Sequence, residues 1–197
     1  MQVAIIKYNA GNIRSVMFAL ERLGVTPVLS DDPDTISQAD KVIFPGQGEA
    51  STAMKYLRQH GMAQLIPELK QPFLGICLGM QLMCTYSEEN NTTCLNMFDH
   101  QVRKFIPNGT QEKVPQMGWN LLHDLKGPLF DSLPADPYVY FVHSYYVETG
   151  TYTTATAEYI IPFTAALQRD NFYATQFHPE KSGEVGQKML QNFLDIT

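Results

Sequence analysis

The sequence predicts an α/β fold: a mostly parallel central sheet with helices on both faces, and antiparallel additions in the second half. Three features point there. Short apolar runs closed by turns ("QVAIIK" at 2–7, "KVIFP" at 41–45, "FLGI" at 73–76) alternate with segments of helical apolar period. Such strand–helix alternation implies right-handed crossovers and parallel pairing. Past residue 100 the pattern changes, and strand-like runs follow one another with little helix between them.

In chain order, "QVAIIK" reads as a buried strand and "YNAGN" as the loop after it. Ile13, Val16, Met17, Leu20 and Leu23 recur at helical spacing, and Gly24 stands where that helix should stop. "VTPVLS" (25–30) and "KVIFP" are the second and third strands, the latter ended by Pro45 and the turn "GQG". Ala50, Ala53, Met54 and Leu57 mark a helix that stops near Gly61. "FLGI" is the fourth strand, with a helix from Leu78 to Tyr86. In the second half, "QVRKFI", "GWNLLH" and "YVYFVHSYYVE" read as strands. "FTAALQ" and "FYATQFH" flank the turn "RDN" as a hairpin. A last helix runs from about Gly183 to Leu194. There is no repeat and no linker, so residues 1–197 are expected to form a single domain.

Composition excludes several functions. The net charge is −6 and no basic cluster tracks nucleic acid or an anionic membrane surface. No apolar run is long enough to span a bilayer, and the N-terminal stretch lacks a signal-peptide layout. Three cysteines at unpatterned spacing make no disulfide framework, and no pair forms C-x-x-C. A reduced, cytoplasmic compartment is expected, with no metal and no cofactor.

One stretch raises a chemical question. In "PFLGICLGMQLM" (72–83), Cys77 sits between strand and helix, with glycines two residues to either side. A buried structural cysteine is one reading, since free cysteine packs as a small hydrophobe. The other is a nucleophile, because "GICLG" matches G-x-S-x-G with sulfur for oxygen. A sharp strand-to-helix turn leaves no room for neighbouring side chains. It sets the thiol at a helix N-terminus, which favours thiolate. The N–H of Leu78 then points to where an oxyanion would form. The carboxyl ends of strands are where open α/β sheets place their sites.

A thiolate mechanism usually needs a base. His60 and His123 read as surface, His100 carries no signal, and His143 in "FVHSYY" is core or site wall. His178, in "ATQFHPEKS", is the informative one. Residues i and i+2 of an extended chain face the same way, so Glu180 can orient the ring while its other nitrogen faces a thiol. Pro179 stiffens the backbone between them. A strand-end histidine paired with a surface glutamate is the plainer alternative. Cys84, seven residues past Cys77 on the same helix face, reads as core, and Cys94 lies in a polar stretch. "FPGQGEAS" (44–51) frees backbone N–H groups at the same sheet edge, as an oxyanion donor, as a phosphate-binding turn (though without the longer glycine loop or the Lys or Arg such a site usually has) or as an ordinary turn.

Cys77 in "GICLGMQ" with His178 and Glu180 in "QFHPEKS" resembles the Cys-His-Glu triad of class I glutamine amidotransferases, which have a flavodoxin-like fold. "YNAGNIRSV", "FPGQGEAS", "KVPQMGWN" (113–120) and "YFVHSYYVE" (140–148) narrow the resemblance to the glutaminase subunits of imidazole glycerol phosphate synthase, over nearly the whole chain. The resemblance implies hydrolysis of L-glutamine and transfer of the ammonia to a (β/α)8-barrel cyclase partner in a heterodimer, within histidine biosynthesis. It also implies residue roles. Cys77 attacks the amide, His178 relays protons and Glu180 orients His178. The N–H groups of Leu78 and Gln47, beside Gly48, form the oxyanion hole. Gln81 and Glu89, with backbone from His143, Ser144 and Tyr145, hold the substrate. Asn12, Met117, Trp119, Tyr138 and Lys181 face the cyclase. Two positions depart from the pattern: Gln47 replaces a small apolar residue, and Gln116 a frequent histidine. A glutaminase for another synthase, a cysteine-nucleophile α/β hydrolase and a non-catalytic binding module remain open alternatives. In the hydrolase the acid would precede the histidine, whereas Glu180 follows His178.

Overall fold

A computed structural model describes residues 1–8, 13–109 and 112–197. Asn12, expected at the partner surface, lies outside the described residues. The helices are α1 (Ile13–Arg22), α2 (Pro33–Gln38), α3 (Ala50–Gln59), α4 (Met62–Leu65), α5 (Leu78–Met83) and α6 (Gly183–Asp195). The strands of the first half are β1 (Val3–Ile6), β2 (Val28–Ser30), β3 (Lys41–Phe44), β4 (Phe73–Ile76), β5 (Tyr86–Ser87) and β6 (Thr92–Thr93). Those of the second are β7 (Gln101–Lys104), β8 (Gln116–Leu121), β9 (Tyr138–His143), β10 (Tyr145–Val147), β11 (Thr153–Glu158), β12 (Pro162–Arg169) and β13 (Phe172–Thr175).

Eleven of these strands form one sheet in the order β2-β1-β3-β4-β13-β12-β10-β7-β5-β6, with β11 paired to β12. From β2 to β13 every neighbour is parallel. Beyond β13, β12, β10 and β7 run antiparallel to one another. The alternation of side chains along β1 and β3 explains why both faces are covered. Ala4, Ile6, Val42 and Phe44 point into a core closed by α2 to α5. Val3, Ile5 and Ile43 point into a second core closed by α1 and α6. Both faces are apolar, so these strands read as unbroken hydrophobic runs.

The expected hairpin is β12–β13, and its second strand takes the central place beside β4. The run "YVYFVHSYYVE" is two strands, not one. β9 pairs with β8 as a separate two-stranded ribbon, and β10 joins the main sheet. The short helices α2 and α4 and the strands β5, β6 and β11 carried too little periodicity to be anticipated. α2 nonetheless has a start signal in "DDPDT": Asp32 caps Thr35 N–H at 2.9 Å, and Pro33 follows. α5 stops at Met83 rather than Tyr86. Its last carbonyls are taken from outside, with Leu95, Asn96 and Met97 N–H bonding to Leu82, Cys84 and Met83. Cys84 is therefore the residue that ends α5 and not part of its face, although it is fully buried as expected.

Candidate active site

β4 delivers Cys77 into a turn that ordinary residues avoid. Its φ is 54° and ψ −107°, in the left-handed half of the map. The surroundings hold it there: Cys77 N–H donates to Thr175 O at 2.7 Å, and Gln81 N–H to Cys77 O at 3.2 Å. The glycines have the role expected of them. A Cβ on Gly79 would lie 2.0 Å from the Phe44 carbonyl oxygen, and one on Gly75 would lie 2.5 Å from the Met83 sulfur and 3.1 Å from the backbone of Gly79 and Met80. Close approach of other atoms to the backbone on both sides of Cys77 is what these positions require.

β13 continues beyond Thr175 to bring His178 to the same edge. His178 N–H is fixed to Tyr140 O at 2.9 Å. Its Nδ1 donates to Glu180 Oε1 at 2.7 Å, and both side chains are buried. The contact is the one expected, but its cause differs. Residues 179–181 form a 3-10 turn, so Glu180 reaches back by curling rather than by strand alternation. Burial pulls the imidazole down, yet the Cys77 sulfur and the Glu180 carboxylate outweigh it and raise the pKa to about 10. Nε2 is buried and has the Cys77 sulfur beside it. An imidazolium facing sulfur is the arrangement a thiolate nucleophile needs.

In front of Cys77 opens a cleft of about 370 Å³. Its walls include Gln47, Gly48, Leu78, Gln81, Glu89, His143, Ser144 and Tyr145, all expected from the sequence. His178 and Glu180 line a smaller hollow that shares Gly46 and Gln47 with this cleft. Leu78 N–H does not point freely to an oxyanion. It donates, at 3.4 Å, to Gly46 O, so that position is occupied by the chain's own carbonyl. Gln81 is also less free than expected: its Nε2 donates to Tyr145 O at 3.0 Å and to Gln176 Oε1 at 2.9 Å. Only its carbonyl oxygen is left to meet a ligand. Glu89 accepts the Ala50 N–H at 2.8 Å, and burial raises its pKa.

A family model described as glutamine amidotransferase class-I matches residues 5–196. The chain belongs to this family. A curated relative from Bacteroides fragilis, named imidazole glycerol phosphate synthase subunit HisH, is 59% identical over 100% of both chains. One of the same name from Yersinia pseudotuberculosis is 45% identical, again over 100% of both. A solved structure titled PurLQS, from Thermotoga maritima, superposes with a TM-score of 0.72 at 18% identity, covering 98% of this chain and 97% of that one. That likeness is one of fold. The class I amidotransferase fold expected from the sequence is therefore shown, and the chain is an enzyme family member. No helix among the described residues is long and apolar enough to cross a membrane.

Three residues around Cys77 carry no signal in the sequence. Tyr8, in the loop predicted after the first strand, donates from its hydroxyl to Pro45 O at 2.6 Å at the start of the 45–48 turn. Gln116 was noted only as a departure, yet it meets His143 at 3.0 Å. Gln176, in the strand that the sequence predicts, is completely buried against Cys77. No spacing signal distinguishes a buried glutamine from an exposed one. The other two thiols are inert by burial, which pushes Cys84 well up and Cys94 to about 12.

His143 gives a stability prediction. Nδ1 donates to Tyr145 O at 2.7 Å, and Nε2 stands 3.0 Å from Gln116 Oε1; a neutral ring can only accept at Nε2, so it requires that carboxamide turned with its NH2 group to the ring. Burial, aided by the charge of His178 and resisted by the Tyr145 bond, lowers His143 from 6.5 to about 4. The unfolded chain then binds more protons than the folded one between those values. Stability present above pH 6.5 is lost as pH falls towards 4, by about 3 kcal/mol in all. Urea unfolding at pH 7.5 and 5 should show this slope, and His143→Gln should flatten it. An equal slope in both proteins would exclude His143 as its source.

Proposed function

We propose that the chain is the glutaminase subunit of an imidazole glycerol phosphate synthase, with residues 1–197 as one amidotransferase unit working in the cytoplasm. It takes ammonia from L-glutamine and passes it to a (β/α)8-barrel cyclase bound as a heterodimer. The observation that carries the glutaminase chemistry is the strained Cys77 at an open cleft, with the buried His178–Glu180 pair beside it; the synthase is read from the relatives named HisH. In this reading Cys77 Sγ attacks the carboxamide carbon of glutamine. His178 donates its proton to the departing nitrogen, leaving a thioester and ammonia. The neutral imidazole then takes a proton from water, which attacks the thioester and releases glutamate. Glu180 keeps the ring oriented throughout.

The oxyanion formed in each attack needs donors, each typically worth about 3 kcal/mol. Leu78 N–H can serve only after Gly46 O releases it, so the 46–48 segment moves before turnover. Gly48, with φ at 144°, is a position where glycine lets the peptide turn at low cost. Gln47 occupies the middle of that segment and is half-buried. Gln47→Val is expected to change the rate without partner. Identical basal and stimulated rates in the two proteins would separate Gln47 from this step.

The partner would dock on the β8–β9 ribbon. Register places Met117 opposite Val142, Trp119 opposite Tyr140 and Leu121 opposite Tyr138, all on one outer face. Met117 is 66% exposed, Tyr138 51% and Trp119 47%, and the two rings stack at 6.0 Å. Lys181 lies over the Tyr140 ring at 5.7 Å. An exposed aromatic and methionine surface of this kind fits a protein interface. Trp119→Ala should weaken cyclase binding by about 2 kcal/mol, measured by titration calorimetry; unaltered affinity would move the interface elsewhere.

The reading itself is tested by glutamate release from glutamine, for the chain alone and with the cyclase and its nucleotide ligand, against Cys77→Ala. Release that rises with the liganded partner and disappears in the variant is expected. Release that needs Cys77 but ignores the cyclase would assign the chain to another synthase.

A further inference from the structure

Gln176 lies two residues before His178, and no part of the mechanism above uses it. Its side chain is fully buried, where a carboxamide is costly unless its donors and acceptor are met. Its surroundings fix which way it points. Tyr145 O can only accept, so the atom of Gln81 beside it at 3.0 Å is the NH2 group. The second hydrogen of that group goes to Gln176 at 2.9 Å, so the atom of Gln176 there is its carbonyl oxygen. The NH2 group of Gln176 is therefore turned to Cys77 Sγ, 3.6 Å away. Its backbone cannot slip, because Gln176 N–H bonds to Ala165 O at 2.8 Å as a continuation of the β12–β13 ladder. A one-way chain of donors thus runs from the substrate cleft wall to the nucleophile.

We propose that Gln176 is the positioning residue of the nucleophile. It donates a hydrogen bond to the Cys77 thiolate and ties the sulfur to Gln81, so that occupation of the cleft is felt at the reacting atom. The second half of this proposal rests on the glutaminase reading; the first half needs only the thiol. A thiolate accepts a hydrogen bond more strongly than a thiol, so the donor favours the ionised form. The same bond restrains χ1 of Cys77 and keeps the sulfur facing the cleft. It also holds the Gln81 carboxamide with its carbonyl oxygen outward. A ligand that polarises or shifts Gln81 would strengthen or weaken the bond to sulfur through the shared amide.

The test is the pH dependence of Cys77 alkylation by iodoacetamide, read by mass spectrometry so that Cys84 and Cys94 do not interfere. Gln176→Met keeps the length and removes the donor. Its alkylation midpoint should rise by about one pH unit, a tenfold loss of thiolate below the midpoint. With the cyclase present, kcat should fall about tenfold and KM by much less than that should change, since the cleft wall survives. A folded Gln176→Met variant with an unshifted midpoint would overturn the proposal. Should that variant not fold, the wild-type protein answers. Its Gln176 side-chain amide resonance, in 15N-glutamine-labelled protein, should move with the same midpoint as Cys77 alkylation, and a resonance indifferent to that pH would overturn the proposal equally. A wrong glutaminase reading would show differently, as no Cys77-dependent glutamate release from the wild type whatever the alkylation profile.

Discussion

Glu180→Gln is expected to lower partner-stimulated glutamate release by about 10³- to 10⁴-fold, with little change in melting temperature. The glutamine has the same shape, so packing in the 179–181 turn is kept. The chemistry is not. Glu180 Oε1 now accepts the Nδ1 proton at 2.7 Å, which leaves Nε2 to exchange a proton with the sulfur. A carboxamide presenting its NH2 group would force the proton of the neutral ring onto Nε2, the nitrogen that has to take a proton from the attacking water. It would also remove one of the two negative groups that, against burial, lift His178 to about 10. Wrong-tautomer losses of this kind, with geometry intact, are typically about 10⁴-fold in hydroxyl triads. Glutamate release measured across pH with the cyclase, beside a thermal melt, checks it. A loss below tenfold would mean that Glu180 is a structural neighbour and not the orienting group.

Gly79→Ala should be strongly destabilising for a single added methyl group. The added Cβ falls 2.0 Å from the Phe44 carbonyl oxygen and 3.1 Å from its carbon. Both are backbone atoms of β3, a central strand, so neither can rotate away. Overpacking usually costs about 1–3 kcal/mol, and relief here needs a shift of strand or helix, so about 3 kcal/mol is expected. Any shift carries Leu78 N–H with it, so activity should fall more than stability. Gly75→Ala is milder, since its nearest contact is the flexible Met83 sulfur at 2.5 Å. Gly109→Ala is the control, with nothing within 4 Å of its Cβ. Urea unfolding of the three variants orders them. A Gly79→Ala protein within about 1 kcal/mol of the wild type would mean that β3 and α5 part more easily than their contact implies.

The motifs proved the most legible part of the chain, because their chemistry is local. A turn that bends a strand into a helix around one cysteine needs small residues at fixed offsets, and Gly75 and Gly79 are those residues. Similarly, a proline between His178 and Glu180 limits how the two can meet. Element boundaries were less legible. α5 was expected to reach Tyr86, but hydrogen bonds from residues 95–97, distant in sequence order, end it at Met83.

Strand and helix type, the nucleophile turn and the His–Glu pair thus follow from neighbouring residues, whose sterics and hydrogen bonding act over a few positions. The meeting of the two motifs does not. It depends on β13 leaving the antiparallel half to pair, in parallel, with β4, so that Thr175 stands beside Ile76 and His178 arrives next to Cys77. Nothing local specifies that neighbour. It is chosen because β13 is flanked by both cores, where Ala174 packs on one face and Tyr173 on the other. The roles of Gln176, Gln116 and Tyr8 belong to the same class. Each is an ordinary polar side chain until burial removes water and obliges it to bond to whatever the fold has set beside it.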